Sequence, residues 1–292
     1  MQQVKTQMID LATDMVGRFI YSRSGMEQTS NISQSIKIRG HRIWYQDAGK
    51  GRPVIFLHGL GSNSLSWLMT IPVFSSQYRV IAIDHIGHGR SDKPGIAYRI
   101  TDFVDYLEDF LSSLNLSNVD LVGNSLGGWI GARLALKRPD LISRLVLVGS
   151  AGLEPWPELR EKLENTKFAP RTAKEIKTFL SMCFHDKLRY TNQFSVMISY
   201  LVRSLDSSHS TIEKVLQSAL DPNEWLDGKL HQIKAQTLVL WGQQDELMPL
   251  KFAYQFAESI PNTDLKIISD CGHVPQIEKA KEFNQILKDF LK

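Results

Sequence analysis

The sequence predicts an α/β protein: a doubly wound, mostly parallel sheet with helices on both faces and a helical lid inserted before one of its last strands. Three observations carry that expectation. Short, β-branched apolar runs alternate with helical periodicity along most of the chain. Several of those runs are apolar without a break, as strands are when both faces of a parallel sheet are covered. One stretch, from about residue 154 to 233, breaks the alternation, with helical periodicity and no convincing strand.

In chain order, the β-like runs are Ile36–Ile38, His41–Gln46, Val54–Leu57, Val80–Ile83, Val119–Val122, Leu145–Val148, Thr237–Trp241 and Leu265–Ile268. Gly49, Lys50 and Gly51 make a turn before the third. Helical patterns fall at Thr101–Leu114, Leu126–Lys137, Pro249–Ser259 and Glu278–Leu291. This divides the chain into an N-terminal helix and linker (1–34), an α/β core (35–153 and 234–292) and a helical cap (154–233). A cap placed there would cover the carboxyl ends of the strands, where ligands bind in open α/β sheets.

The N-terminal helix is read from Val4, Met8, Leu11, Met15 and Phe19, followed by a Ser-rich link at 22–34. The expectation is a helix packed on the domain. An amphipathic helix in contact with a membrane is the alternative, weakened by a polar face that mixes acids with few bases. No apolar run is long enough to cross a bilayer, and no signal-peptide pattern opens the chain, so a cytoplasmic location is expected.

Composition excludes other classes. The net charge is +3, with Lys and Arg scattered among acids, which argues against nucleic acid. Cys183 and Cys271 cannot build a disulfide framework and lack zinc-site spacing. No cofactor or metal is expected, the partner is a small-molecule substrate, and the sequence leaves the oligomeric state open.

The chemistry centres on Gly123-Asn124-Ser125-Leu126-Gly127, directly after one apolar run and directly before a helix. A Ser between two glycines in that context is a nucleophile elbow, a turn so sharp that larger neighbours would collide. The helix that follows offers its N-terminal dipole to negative charge near Ser125. Serine needs a base to take its proton, and that base needs a carboxylate to fix its tautomer. Both occur in loops after later strands and in the expected order: Asp245 after Thr237–Trp241, and His273 after Leu265–Ile268. Glu246 and Asp270 are rival acids, with Asp245 preferred. His41, His85, His88, His185, His209 and His231 lack that placement and are read as surface or structural.

An oxyanion needs backbone donors, and His58-Gly59-Leu60-Gly61 follows a strand where one is expected. The hole is assigned to the amides of Leu60 and Leu126. Gly59, Asn124, Trp156 and Val274 are assigned to the substrate pocket. His58 with Asp84 could be read as metal ligands, but no further ligand stands at metal-site spacing.

These residues resemble the α/β-hydrolase superfamily: His58 to Gly61, Asp84 with Gly87-His88-Gly89-Arg90-Ser91, the elbow, Asp245 and Gly272-His273 match its landmarks in order, over about residues 35–292. Within it, Ile233 to Thr237 and Asp270 to His273, with Phe283-Asn284, look like carbon–carbon bond hydrolases of ring-cleavage products. Three departures stand against that: Val274 where that family has Trp, Leu60-Gly61-Ser62-Asn63 in its first loop, and no clean counterpart of its lid arginine, for which Arg203 is nearest. Haloalkane dehalogenases and epoxide hydrolases are similar but carry an aspartate where Ser125 stands.

The resemblance implies, first, a carboxylic-ester hydrolase working through an acyl-enzyme. Its pocket would be built by those of Trp156, Phe168, Phe184, Tyr190, Phe194, Met197, Tyr200 and Trp225 that face the sheet. A carbon–carbon bond hydrolase is the alternative, favoured if Arg203 or Arg133 lies buried in the pocket. A ligand receptor that retains a hydrolase triad is the third reading.

Overall fold

The computed structural model describes residues 32–155, 157, 160–161, 172–187 and 209–292. The N-terminal helix, Trp156, Phe168, Tyr190, Phe194, Met197, Tyr200 and Arg203 lie outside the described residues.

Eight strands form one sheet: β1 (Ser33–Ile38), β2 (His41–Ala48), β3 (Pro53–Leu57), β4 (Arg79–Ile83), β5 (Val119–Asn124), β6 (Ile142–Val148), β7 (Gln236–Gly242) and β8 (Thr263–Ile268). Their spatial order is β1-β2-β4-β3-β5-β6-β7-β8, antiparallel at β1–β2 and β2–β4 and parallel elsewhere. Each expected strand is present. β1 begins three residues before Ile36, with Ser33 opposite Gln46. Its extra residues are polar, and an edge ladder is held by backbone bonds that need no apolar side chain.

Period-two alternation sends neighbouring residues of each central strand to opposite faces. On one face Ile55, Leu57, Ile81, Leu121, Leu145, Leu147 and Trp241 pack under α2 (Ile100–Ser113), α3 (Leu126–Lys137) and α5 (Lys251–Ser259). On the other face Val54, Phe56, Val80, Val122, Val146 and Leu240 meet α1 (Ile71–Phe74) and α7 (Ala280–Leu291) through Phe74, Phe283 and Leu287. In α2 the buried residues Ile100, Phe103, Val104, Leu107, Phe110 and Leu111 recur at helical spacing, while Asp105 and Asp109 face out to Arg39. The short α1 and α6 (Pro275–Glu278), like a 3-10 turn at Ser64–Trp67, are too brief for periodicity to reveal.

Between β6 and β7 the described residues contain no strand; they form α4 (Ala173–Cys183), a helix over 209–219, and 3-10 turns at Pro222–Glu224 and Leu230–Gln232. α4 starts on a capping box in which Thr172 and Glu175 satisfy each other's backbone amides at 3.1 and 3.2 Å. The two ends of this insertion meet, Leu226 N–H donating to the Gly152 carbonyl at 2.8 Å. Among the described residues no helix is long and apolar enough to cross a membrane.

Candidate active site

Parallel strands that share a direction bring the loops at their carboxyl ends together, and the loops after β3, β5, β6, β7 and β8 meet above one edge of the sheet. Ser125 sits at the turn from β5 into α3 with φ 55° and ψ −117°, a strained conformation for a residue with a side chain. Two close approaches permit the turn. A Cβ on Gly123 would lie 2.3 Å from the Gly127 carbonyl oxygen, and one on Gly127 would lie 2.3 Å from that of Leu57. The Ser125 amide donates to Val148 O at 2.9 Å, and its carbonyl accepts from Ala151 N at 3.2 Å, so the elbow is stitched to the end of β6.

Asp245 and His273 meet. His273 Nδ1 lies 2.7 Å from Asp245 Oδ2, while Asp245 Oδ1 accepts the amides of Leu247 and Met248 at 2.9 and 2.8 Å. With one oxygen occupied by two amide donors, the other is left for the imidazole, which donates from Nδ1, so that in the neutral ring Nε2 is the free base nitrogen. Both residues are nearly buried, at 6% and 5% exposure, which strengthens the pair. Gly149, at φ 51°, passes so close that a Cβ would stand 3.1 Å from His273 Nδ1 and 3.2 Å from Asp245 Oδ2.

The rival acids point elsewhere. Glu246 Oε1 pairs with Lys187 Nζ at 2.8 Å, and Asp270 Oδ1 faces His185 Nε2 at 3.9 Å.

The loop after β3 lies against the elbow: a Cβ on Gly59 would be 3.2 Å from the Ser125 Cβ. The Gly59 carbonyl is held by His58 Nδ1 at 2.7 Å and by Ser62 N–H at 3.2 Å. A trans peptide then sends the Leu60 N–H the opposite way, fixing its direction. Leu126 opens α3 with no side-chain cap from Ser125, so its amide is one of the unpaired donors at a helix start. Neither amide donates to another group among the described residues.

Beneath this loop lie three buried histidines. His58 Nε2 accepts His85 N–H at 3.1 Å and the His85 ring reaches the His58 carbonyl at 3.0 Å, with ring centroids 4.2 Å apart. Burial pushes all three imidazoles down, His85 to about 4 and His88 to about 3, so they are neutral. Asp84 is spent on the amides of Ser64 and Arg90, at 2.7 and 2.8 Å, tying the loops after β3 and β4. Among the described residues no group of three or more His, Cys, Asp or Glu could hold a metal ion.

Val274, expected in the pocket, and Leu60, expected in the oxyanion hole, pack against Leu180, Phe184, Ile212 and Leu247, an apolar cluster joining the insertion to the loops after β3, β7 and β8. Asn124 faces inward and does structural work: its Nδ2 donates to the carbonyls of Val148 and His273 at 3.0 and 3.2 Å, and its Oδ1 accepts from Gln276 at 3.2 Å. Gln276 and Glu278 were not singled out from sequence; their signal was two polar side chains in the turn directly after His273. Arg133 is not a free pocket cation. It faces Glu224 at 3.4 Å and donates to the Asn223 carbonyl at 3.1 Å. Trp225 is turned inward to Ala219, its Nε1 donating at 3.0 Å.

Comparison with known proteins identifies the family. The alpha/beta hydrolase fold family matches residues 52–280. A 2-hydroxymuconate semialdehyde hydrolase of Pseudomonas sp. (strain CF600) is 30% identical, covering 91% of this chain and 95% of that protein. Among solved structures, a meta-cleavage product hydrolase from Pseudomonas fluorescens IP01 superposes with a TM-score of 0.79 at 27% identity, covering 89% of this chain and 97% of the other. An esterase from Exiguobacterium antarcticum gives 0.76 at 26% identity, covering 88% and 98%.

Proposed function

The chain belongs to the α/β-hydrolase family, and from that membership we propose a serine hydrolase that cleaves a carbon–carbon bond in a carboxylate-bearing vinylogous diketone, with Ser125, His273 and Asp245 as its triad. The observation that carries the triad is the 2.7 Å contact of His273 Nδ1 with Asp245, which leaves Nε2 as the base. The choice of bond rests on the relatives. The sequence alone put esters first; the 30% identity to a ring-cleavage hydrolase over nearly the whole chain reverses that order.

In this reading Ser125 Oγ attacks the keto carbonyl while His273 Nε2 takes its proton. The developing oxyanion is met by the Leu60 and Leu126 amides, each worth roughly 3 kcal/mol in such sites. The carbon–carbon bond then breaks, its electron pair passing into the conjugated enolate of the leaving fragment. The His273 imidazolium returns the proton to that carbon. Water activated by the same imidazole releases the acyl group as a carboxylic acid. Asp245 stays ionised and steadies the imidazolium. The insertion between β6 and β7 serves as a lid whose Phe184 and Ile212 close on Leu247 of the loop after β7 and exclude water.

A second reading, ester hydrolysis, is favoured by Arg133, whose pairing with Glu224 removes one cation that could receive a substrate carboxylate. The deciding experiment compares 2-hydroxymuconate semialdehyde with nitrophenyl esters from acetate to dodecanoate, for the native protein and Ser125→Ala. Turnover of the dienoate that falls on the order of a millionfold in the variant supports the proposal. Serine-dependent cleavage of esters alone selects the second reading, and no Ser125-dependent cleavage of either overturns both.

A further inference from the structure

The turn that ends α4 rests on both loops that carry the Asp–His pair. The Cys183 carbonyl accepts the backbone amide of His273 at 2.8 Å. Gly272 lies so tightly against this turn that a Cβ would stand 2.5 Å from Cys183 O and 2.9 Å from His185 N. Between the segments lies the half-buried carboxylate of Glu278. Its Oε2 accepts Gly272 N–H at 2.7 Å and His185 N–H at 3.2 Å, and its Oε1 accepts Asp186 N–H at 2.8 Å. One carboxylate thus satisfies three amides from two segments remote in sequence, and hydrogen bonds to a charged acceptor are the stronger kind. At the rim, Lys187 reaches Glu246 beside Asp245, and His185 faces Asp270; these pairs are exposed and contribute little.

The consequence falls on His273. Its own amide is held by the insertion through Cys183, and its carbonyl by the elbow through Asn124 at 3.2 Å. The imidazole is therefore aimed by contacts from both sides of the site.

We propose that Glu278 is a positioning residue: it fastens the turn at 183–187 to Gly272-His273, so that the seat of the insertion and the aim of the His273 imidazole are set together. This rests on the assignment of His273 as the base. A carboxamide in place of the carboxylate keeps one acceptor and turns two N–H donors towards backbone amides, so either the Gly272–His185 side or the Asp186 side must open.

The test uses p-nitrophenyl acetate, with turnover counted per Ser125 titrated by a fluorophosphonate. Glu278→Gln is expected to lower kcat by about tenfold or more with KM changed by no more than about twofold, as for a displaced base. Lys187→Ala, at the exposed rim, stays within about twofold of the native protein in both constants. A Glu278→Gln protein that melts earlier but keeps its kcat per titrated serine overturns the proposal, as does a change confined to KM. A second arm needs no variant and no turnover: hydrogen exchange of the native protein. The amides of 272–273 and 184–186 are expected to exchange as one unit, and independent exchange overturns the coupling. Native protein inert towards the ester would count against the ester reading alone, while the exchange arm would still decide this one.

Discussion

Asn124 donates its side-chain amide to the backbone carbonyl of His273 at 3.2 Å, so the residue before Ser125 holds the proposed base. The same amide reaches Val148 O at 3.0 Å, and Gln276 completes the set from the other side. Three loops from β5, β6 and β8 are thereby locked through one buried side chain. Ladder hydrogen bonds end with the strands, so contacts of this kind set the heights of successive loops relative to one another.

Asn124→Ala should therefore cost both stability and rate. It leaves the His273 and Val148 carbonyls without this donor, and burying an unsatisfied polar group costs about 1–3 kcal/mol. Urea unfolding and kcat should fall together. A variant with native stability and native turnover would refute the locking role.

Asp245→Asn separates tautomer from geometry. An asparagine oxygen can still accept the Leu247 and Met248 amides, which turns its NH2 towards His273 Nδ1. The ring must then accept at Nδ1 and carry its proton on Nε2, where it cannot take one from Ser125. The fold should hold and turnover should drop by roughly 10⁴, as elsewhere when this hydrogen bond is reversed. Thermal melting together with steady-state rates checks both halves, and a loss below about tenfold would point to another acid.

How far the sequence reached is set by what carries a residue signature. β3 to β7 could be read because buried parallel strands are continuous apolar runs, and β1, β2 and β8 from short β-like runs at the sheet's margins; the juxtaposition of Asp245 with His273 follows from loops after adjacent β7 and β8. The clamp on His273 could not be read in the same way: its acceptors are the Cys183 carbonyl and a Glu278 carboxylate that takes three backbone amides. Arg133 misled for a related reason. Charge alone offered it as a partner for a substrate, and only the folded chain reveals Glu224 beside it.

Ser125→Gly isolates the strain of the elbow. A side chain at φ 55° and ψ −117° costs of order 1–3 kcal/mol, which glycine releases, while the freer unfolded chain takes back about 1 kcal/mol. Both Ser125→Gly and Ser125→Ala should be inactive, and the glycine variant should melt no lower than the alanine one. Calorimetry on the two side by side decides it, with a lower midpoint for glycine removing strain from the account.

Stability should fall in mild acid because of the histidines beneath the loop after β3. An unfolded histidine takes up its proton near pH 6.5, whereas burial holds folded His85 at about 4 and His88 at about 3, with His58 lowered as well. Between those values the unfolded chain binds more protons than the folded one, so the stabilisation is full above pH 6.5 and drains as pH falls towards 4. Each such histidine contributes up to about 1.4 kcal/mol per pH unit in that window. Asp84 works in the opposite direction, since its folded carboxyl keeps a proton that an unfolded one, at 3.8, has already released. His85→Gln should flatten the slope, because glutamine can still donate to the His58 carbonyl without titrating. Denaturant unfolding at pH 7, 6 and 5 measures it, and an unchanged slope in the variant would place the acid sensitivity elsewhere in the fold.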